Sequence, residues 1–127
     1  MAKFVPDSTL DAFLDIIAND GLRVHICSTQ PTTYTEAITT YNLGTVTTTA
    51  GDGNGDWVIA NGDTSGRKLT LLQQTGVSIS ASGTAAHIAI TDATDTLYAV
   101  TTCTSQAVTS GNTATINTFD IEISDAA

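Results

Sequence analysis

The apolar positions between Asp7 and Gly21 recur at the spacing of one helical face, and they are Leu10, Phe13, Leu14 and Ile17. Side chains at i, i+3, i+4 and i+7 share one side of an α-helix. Asp7 or Ser8 can cap the start, and Gly21 stands where a residue in the left-handed region commonly ends a helix. The pattern predicts a helix over residues 7–20, preceded by an N-terminal arm of residues 1–6.

After Gly21 the hydrophobic pattern changes to a period of two. Leu22, Val24 and Ile26 fall on one face of a strand, and the other face carries Arg23, His25 and Cys27. Such alternation is typical of a half-buried strand. Further β-prone segments alternate with turn residues over positions 43–50, 56–60, 68–73, 76–81, 86–91, 97–102 and 113–124. In segment 31–41 threonines interrupt a helical stripe, which indicates a loop with one short helical turn.

About eight short strands, with a turn roughly every 8–12 residues, are typical of a sandwich or jelly roll. A chain of 127 residues has room for one core. The sequence therefore predicts a single domain over 1–127 that is mainly β, an antiparallel β-sandwich or jelly-roll-like domain over 22–124 with one N-terminal amphipathic helix.

The alternation slips in the last predicted strand. Ile116 occupies an even position, whereas Phe119, Ile121 and Ile123 occupy odd positions. A β-bulge near residues 117–118 would return both sets to the same core face, because one inserted residue reverses the side to which later residues point. Without a bulge, Ile116 would face the other way.

Threonine makes up about one residue in five, and its branched Cβ suits a pleated strand. The formal net charge is −9, and the four basic residues are Lys3, Arg23, Arg67 and Lys68. Nucleic-acid binding needs a basic surface that releases counterions from phosphate. We therefore expect neither nucleic acid nor an anionic membrane as a partner, and the absence of a long apolar run predicts a soluble chain made in the cytoplasm.

Candidate chemical sites are few. His25 and Cys27 lie on one strand face, where a metal pair or a Cys–His nucleophile would need further groups that the sequence does not place. Asp52 and Asp63 stand at the spacing of the first and last ligands of a calcium loop, but Trp57 stands where that loop requires glycine. No common hydrolase or zinc motif is present. We expect no enzyme activity and no cofactor, and the sequence leaves open whether Cys27 pairs with Cys103.

Five residues are candidates for a protein interface. Trp57 beside the glycine-rich turn is the best candidate for an exposed anchor, because tryptophan often carries interface energy. Arg67 and Lys68 form a small positive patch that could face an acidic partner. Phe4 and Pro6 belong to the N-terminal arm, which could touch a neighbouring protein.

Five stretches carry a resemblance to a family of small proteins of tailed bacteriophages. They are VHICSTQPTTY at 24–34, NGDTSGRK at 61–68, and the segments at 97–104, 111–113 and 119–123. Such proteins are encoded among head and tail structural genes, and the resemblance implies a virion protein, most closely a head decoration (cement) protein. It also implies a homo-oligomer, expected to be a trimer, that binds the major capsid protein or another virion protein on the outside of the head. No functional residue carries over from the family.

Two other functions remain open at this point. The protein could belong to the tail or neck, where it would form rings. It could instead be a receptor-binding or carbohydrate-binding β-sandwich, in which Trp57, Tyr34 and Tyr98 would have to converge on one exposed face.

Overall fold

The computed structural model describes residues 5–124, which form one α-helix and nine β-strands. Helix α1 is Asp7–Asp20, as the apolar pattern predicts. The strands are β1 (Arg23–Cys27), β2 (Asn42–Thr47), β3 (Trp57–Asn61), β4 (Arg67–Leu71), β5 (Gln74–Ile79), β6 (Gly83–Thr91), β7 (Leu97–Val108), β8 (Thr113–Ile116) and β9 (Phe119–Ile123). A short π-helical turn, Glu36–Thr40, lies in the loop between β1 and β2.

The strands form two antiparallel sheets. The larger sheet has six strands in the order β7-β6-β1-β2-β5-β8, and the smaller sheet has three in the order β3-β4-β9. Apolar residues of both sheets join one core, which includes Val24 and Ile90 from the large sheet and Trp57 and Leu69 from the small one. This arrangement confirms the predicted mainly β, sandwich-like fold with an N-terminal helix.

Helix α1 packs on β3 and β4 with most of the predicted face, namely Leu10, Leu14 and Ile17, but with Ala18 in place of Phe13. Its buried residues are Leu10, Leu14, Ile17 and Ala18. Phe13 is instead 57% exposed and Ile16 is 52% exposed, so the prediction that Phe13 packs in the core is wrong. The helix carries apolar residues on most of its circumference, and its contact with the small sheet decides which of them are buried.

The helix ends at Gly21 without the left-handed residue that the sequence suggests, since Gly21 has φ −74°. Glycine is required there for lack of space. A Cβ on Gly21 would lie 2.5 Å from the carbonyl oxygen of Ile17 and 2.9 Å from Cγ2 of Ile90. The helix and strand β6 therefore meet closely at this residue.

The predicted last strand is two strands in different sheets. β8 pairs with β5 in the large sheet, and β9 pairs with β4 in the small sheet. Residues 117–118 carry the chain from one sheet to the other, so neither alternative holds: there is no β-bulge at this point, and Ile116 does not face away from the core. The crossing nevertheless lets Ile116 and Phe119 contact the same core, because the two sheets face each other.

Within the described residues, no helix is both long and apolar enough to cross a membrane.

Candidate functional site

An opening in the domain lies between β7 and β8, the two edge strands of the large sheet. A four-residue turn at 109–112 joins them, as in a hairpin. Strands joined so closely commonly pair with each other, but here β7 pairs with β6 and β8 pairs with β5. We call the gap between the facing edges of β7 and β8 the seam.

The turn that closes one end of the seam is fixed to the end of β5 and to the loop that follows it. The backbone N–H of Gly111 donates to the carbonyl of Ile79 at 2.9 Å, and the N–H of Ile79 donates to the carbonyl of Asn112 at 3.0 Å. The N–H of Ser110 donates to Oγ of Ser82 at 2.9 Å. These hydrogen bonds hold the end of the seam at the turn in place, and the edges of β7 and β8 stay apart along the rest of the seam.

A cleft of about 370 Å³ occupies the seam and reaches the core. Its inner wall is formed by core residues, namely Ile26, Ala85, Ile88, Ile116 and Phe119. Its rim comes from the two edge strands and includes Thr101, Thr104, Gln106, Ala114 and Thr115. A second cleft of about 500 Å³ continues toward the turn and shares Gln106, Val108, Ala114, Thr115 and Asn117 with the first.

The seam is uncharged. The sequence from Leu97 to Phe119 contains no Asp, Glu, Lys, Arg or His, although the whole chain has a net charge of −9. None of the described residues lining the two clefts is charged. No residue of β7 is fully buried, as is typical of a strand at the open edge of a sheet. The seam is thus a neutral, threonine-rich surface on an acidic protein.

The two cysteines are free thiols in different surroundings. Cys103 is partly exposed and lines the cleft. Cys27 is fully buried on the opposite face of the large sheet, where its Sγ donates to the carbonyl of Ala37 at 3.7 Å. Burial, with a smaller effect from Cys103, raises the pKa of Cys27 to about 11. Because the thiolate is the nucleophilic form, Cys27 has the character of a structural residue.

His25 is also part of the fold. Its side chain is buried, with Nδ1 2.8 Å from Oγ1 of Thr45 and Nε2 2.8 Å from Oγ1 of Thr91. Burial, and secondarily the charge of Arg23, lowers the pKa of His25 to about 4. Both ring nitrogens are therefore occupied by threonine hydroxyls and the ring is neutral near pH 7, so it is not positioned to activate Cys27.

The carboxylates of the glycine-rich loop accept hydrogen bonds from the protein itself. Asp52 Oδ1 accepts from the N–H of Ile59 at 2.9 Å. Asp56 accepts from the N–H of Thr49 at 2.6 Å and from Nε2 of Gln74 at 3.0 Å. Across residues 5–124, no group of three or more His, Cys, Asp or Glu side chains is arranged to hold a metal ion. These carboxylates fix the conformation of the loop.

Arg67 and Lys68 do not form a free positive patch. Arg67 makes a two-pronged ion pair with Asp11, through Nε at 2.6 Å and Nη2 at 3.2 Å. Lys68 Nζ lies 2.8 Å from Asp63 and 3.5 Å from Asp120, and its bond to Asp63 raises the pKa of the amine. Acids of the same chain therefore already pair with both charges, and an acidic partner for them stays a prediction.

The remaining interface candidates are Trp57, Pro6 and Phe4, and the structure places the first two in different surroundings. Trp57 is 0% exposed and packs in the main core, so the prediction of an exposed anchor is wrong. Its position alternates with Ile59 on the inward face of β3, a pattern that the glycine-rich neighbourhood obscures. Because Trp57 is buried, it cannot form an exposed carbohydrate-binding face with Tyr34 and Tyr98. Pro6 is exposed directly before α1, and Phe4 lies outside the described residues.

Sequence reasoning missed the seam itself. The predicted strand 97–102 is in fact β7, which extends to Val108, and the edge positions of β7 and β8 depend on sheet order. The absence of charge over 97–119 is the signal in the sequence that could have indicated it. Comparison with known proteins adds no guidance, since no family model, curated protein or solved structure matches the chain.

Proposed function

We propose that the chain is a non-enzymatic virion structural protein that acts through protein–protein contacts, most closely a decoration protein on the outside of a bacteriophage head. The observation that carries the proposal is the seam, an open and uncharged surface on an otherwise acidic domain. The resemblance of segments 24–34 and 61–68 to small tailed-phage proteins supports the placement in a virion.

The distribution of reactive groups supports a structural role. His25 and Cys27 are buried and bonded within the fold, and the loop carboxylates Asp52 and Asp56 accept backbone N–H groups. An active site requires such groups in a cleft with a free face toward substrate. The clefts of the seam are instead lined by threonine, asparagine, glutamine and apolar residues, with the thiol of Cys103 as the one ionisable group among the described lining residues.

The surface composition suits ordered contacts between many copies. Threonine loses less rotamer freedom on immobilisation than lysine, glutamate or arginine, so a threonine-rich surface is ordered at low entropic cost. A decoration protein that binds several shell subunits stabilises the assembled state by mass action, and many weak contacts add through avidity. A homo-oligomer, with a trimer as the expected form, would add contacts between copies to the contacts that each copy makes with the shell.

Quantitative mass spectrometry of purified phage particles tests the placement. A decoration protein is expected at hundreds of copies per particle, in a fixed ratio to the major capsid protein. A ratio corresponding to a few or a few tens of copies would move the protein to the tail or neck. Its absence from purified particles would refute the virion proposal.

A further inference from the structure

Strands β7 and β8 each have one edge without a partner strand among the described residues. We propose that the seam between these edges is the surface through which a second copy of this chain binds. The inference rests on the proposed function, in which copies associate, and it names the face that they use.

Exposed strand edges bind other chains unless they are protected. The usual protection is a charge or a proline, and the segment from Leu97 to Ile116 has neither. The register of β7 against β6 shifts near Thr91 and again between Ala85 and His87. Such irregularities discourage unlimited strand stacking, so we expect a finite complex in which side chains pack across the cleft.

The core is reachable from the seam, which gives a second copy apolar surface to cover. Ile88 and Phe119 line the cleft from inside, and Ala99, Cys103 and Val108 on β7 are only partly buried. Burying such surface contributes roughly 25 cal/mol per Å² before the cost of association is subtracted. A neighbouring molecule seated on the seam would complete the burial of β7.

Electrostatics favours a second copy as the occupant. Two molecules that each carry a net charge of −9 repel each other, and the repulsion is smallest when their contact surfaces lack acids. Acids bound the neutral stretch on both sides, with Asp92 and Asp95 before it and Asp120 and Glu122 after it. A basic partner would gain most from the acidic faces, whereas a like-charged copy gains most from the seam.

The two most exposed large apolar residues among those described, Phe13 and Ile16, fit a second copy less well. Phe13 and Ile16 protrude from α1, but the helix also carries four aspartates and no basic residue. Two copies of this helix face would bring like charges together. The seam therefore lacks the acids that disfavour contact between two copies, whereas α1 carries them.

Sedimentation velocity over a range of concentrations, combined with maleimide labelling, tests the interface. Cys103 lines the cleft and Cys27 is fully buried, so labelling of the folded protein reports on the seam. The wild-type protein is expected to associate as concentration rises, with labelling of Cys103 slowing in parallel. Thr115→Asp places a charge on the exposed side of β8 and is expected to weaken association at least about tenfold.

Thr39→Asp is the matched control, because it adds the same charge at an exposed threonine of the π-helical turn, outside the residues that line the seam. It is expected to associate like the wild type, and circular dichroism checks that both variants fold. A protein that stays monomeric would overturn this interface, even if particle analysis places the chain in the virion. Association with unchanged labelling of Cys103, or equal effects of the two variants, would also overturn it.

Discussion

At the scale of single residues, the buried imidazole of His25 makes stability depend on pH. Its pKa is about 4 in the folded protein and near 6.5 when unfolded, so the unfolded chain binds the extra proton first. The stabilisation is complete above pH 6.5 and is lost as pH falls toward 4, with a loss of about 2 to 3 kcal/mol.

Urea unfolding of the wild type and His25→Gln at pH 7, 6, 5 and 4.5 measures this effect. The wild type is expected to lose more stability than the variant as pH falls, because glutamine does not titrate. The difference in unfolding free energy between the two proteins at each pH removes the contribution of the thirteen acidic residues, because both proteins share them. Parallel pH profiles would show that His25 does not control this dependence.

The sequence suggests that Trp57 is exposed and that Phe13 is buried, and the structure shows the reverse. Trp57→Ala removes a side chain that is 0% exposed and is expected to cost about 3 to 5 kcal/mol of unfolding free energy. Phe13→Ala removes one that is 57% exposed and is expected to cost under about 1 kcal/mol. Urea titration followed by circular dichroism compares them, and equal losses would contradict the burial described for β3 and α1.

The same pair shows what sequence can predict about side chains. The apolar spacing identifies Leu10, Leu14 and Ile17 correctly. It cannot choose between Phe13 and Ala18, since the neighbouring sheet decides how α1 is rotated. Trp57 is hard to place from sequence, because its glycine-rich neighbours indicate a turn and mask its alternation with Ile59.

At the scale of elements, the junction of α1 with the large sheet depends on close contact at Gly21. Gly21→Ala would place a Cβ 2.5 Å from the Ile17 carbonyl oxygen and 2.9 Å from Ile90 Cγ2. The helix end or β6 must then shift, at an expected cost of about 1 to 3 kcal/mol. Gly53→Ala is a useful comparison, because a Cβ at Gly53 would meet nothing within 4 Å and only the positive φ is strained. Urea unfolding of both variants measures the difference, and a Gly21 variant no less stable than the Gly53 variant would contradict the close packing.

Strand existence follows from local chemistry, whereas strand partnership does not. Alternating residues and turn signals predict β1 and β6 well, because both signals lie within or beside the strand. The division at residues 117–118 and the edge positions of β7 and β8 depend on which sheet each segment joins. Those choices are made by contacts between residues far apart in sequence, so the seam could not be located from the pattern alone.

At the scale of the whole molecule, the uncharged part of the chain is also the part that contains the free edges of the large sheet. The chain is strongly acidic, yet the segment 97–119 is uncharged and contains both free edges of the large sheet. Reactive groups such as His25 and Cys27 are enclosed on the other face of that sheet. His25 and Cys27 are thus kept from solvent, whereas the neutral seam, with Cys103 in its wall, is open.

Hydrogen–deuterium exchange of the dilute and the associated protein tests the central claim most directly. The unpaired amides of β7 and β8 are expected to exchange quickly when the protein is dilute and to become protected on association, with little change in α1. Protection confined to α1 or to the small sheet, with unchanged exchange across 97–116, would contradict the account.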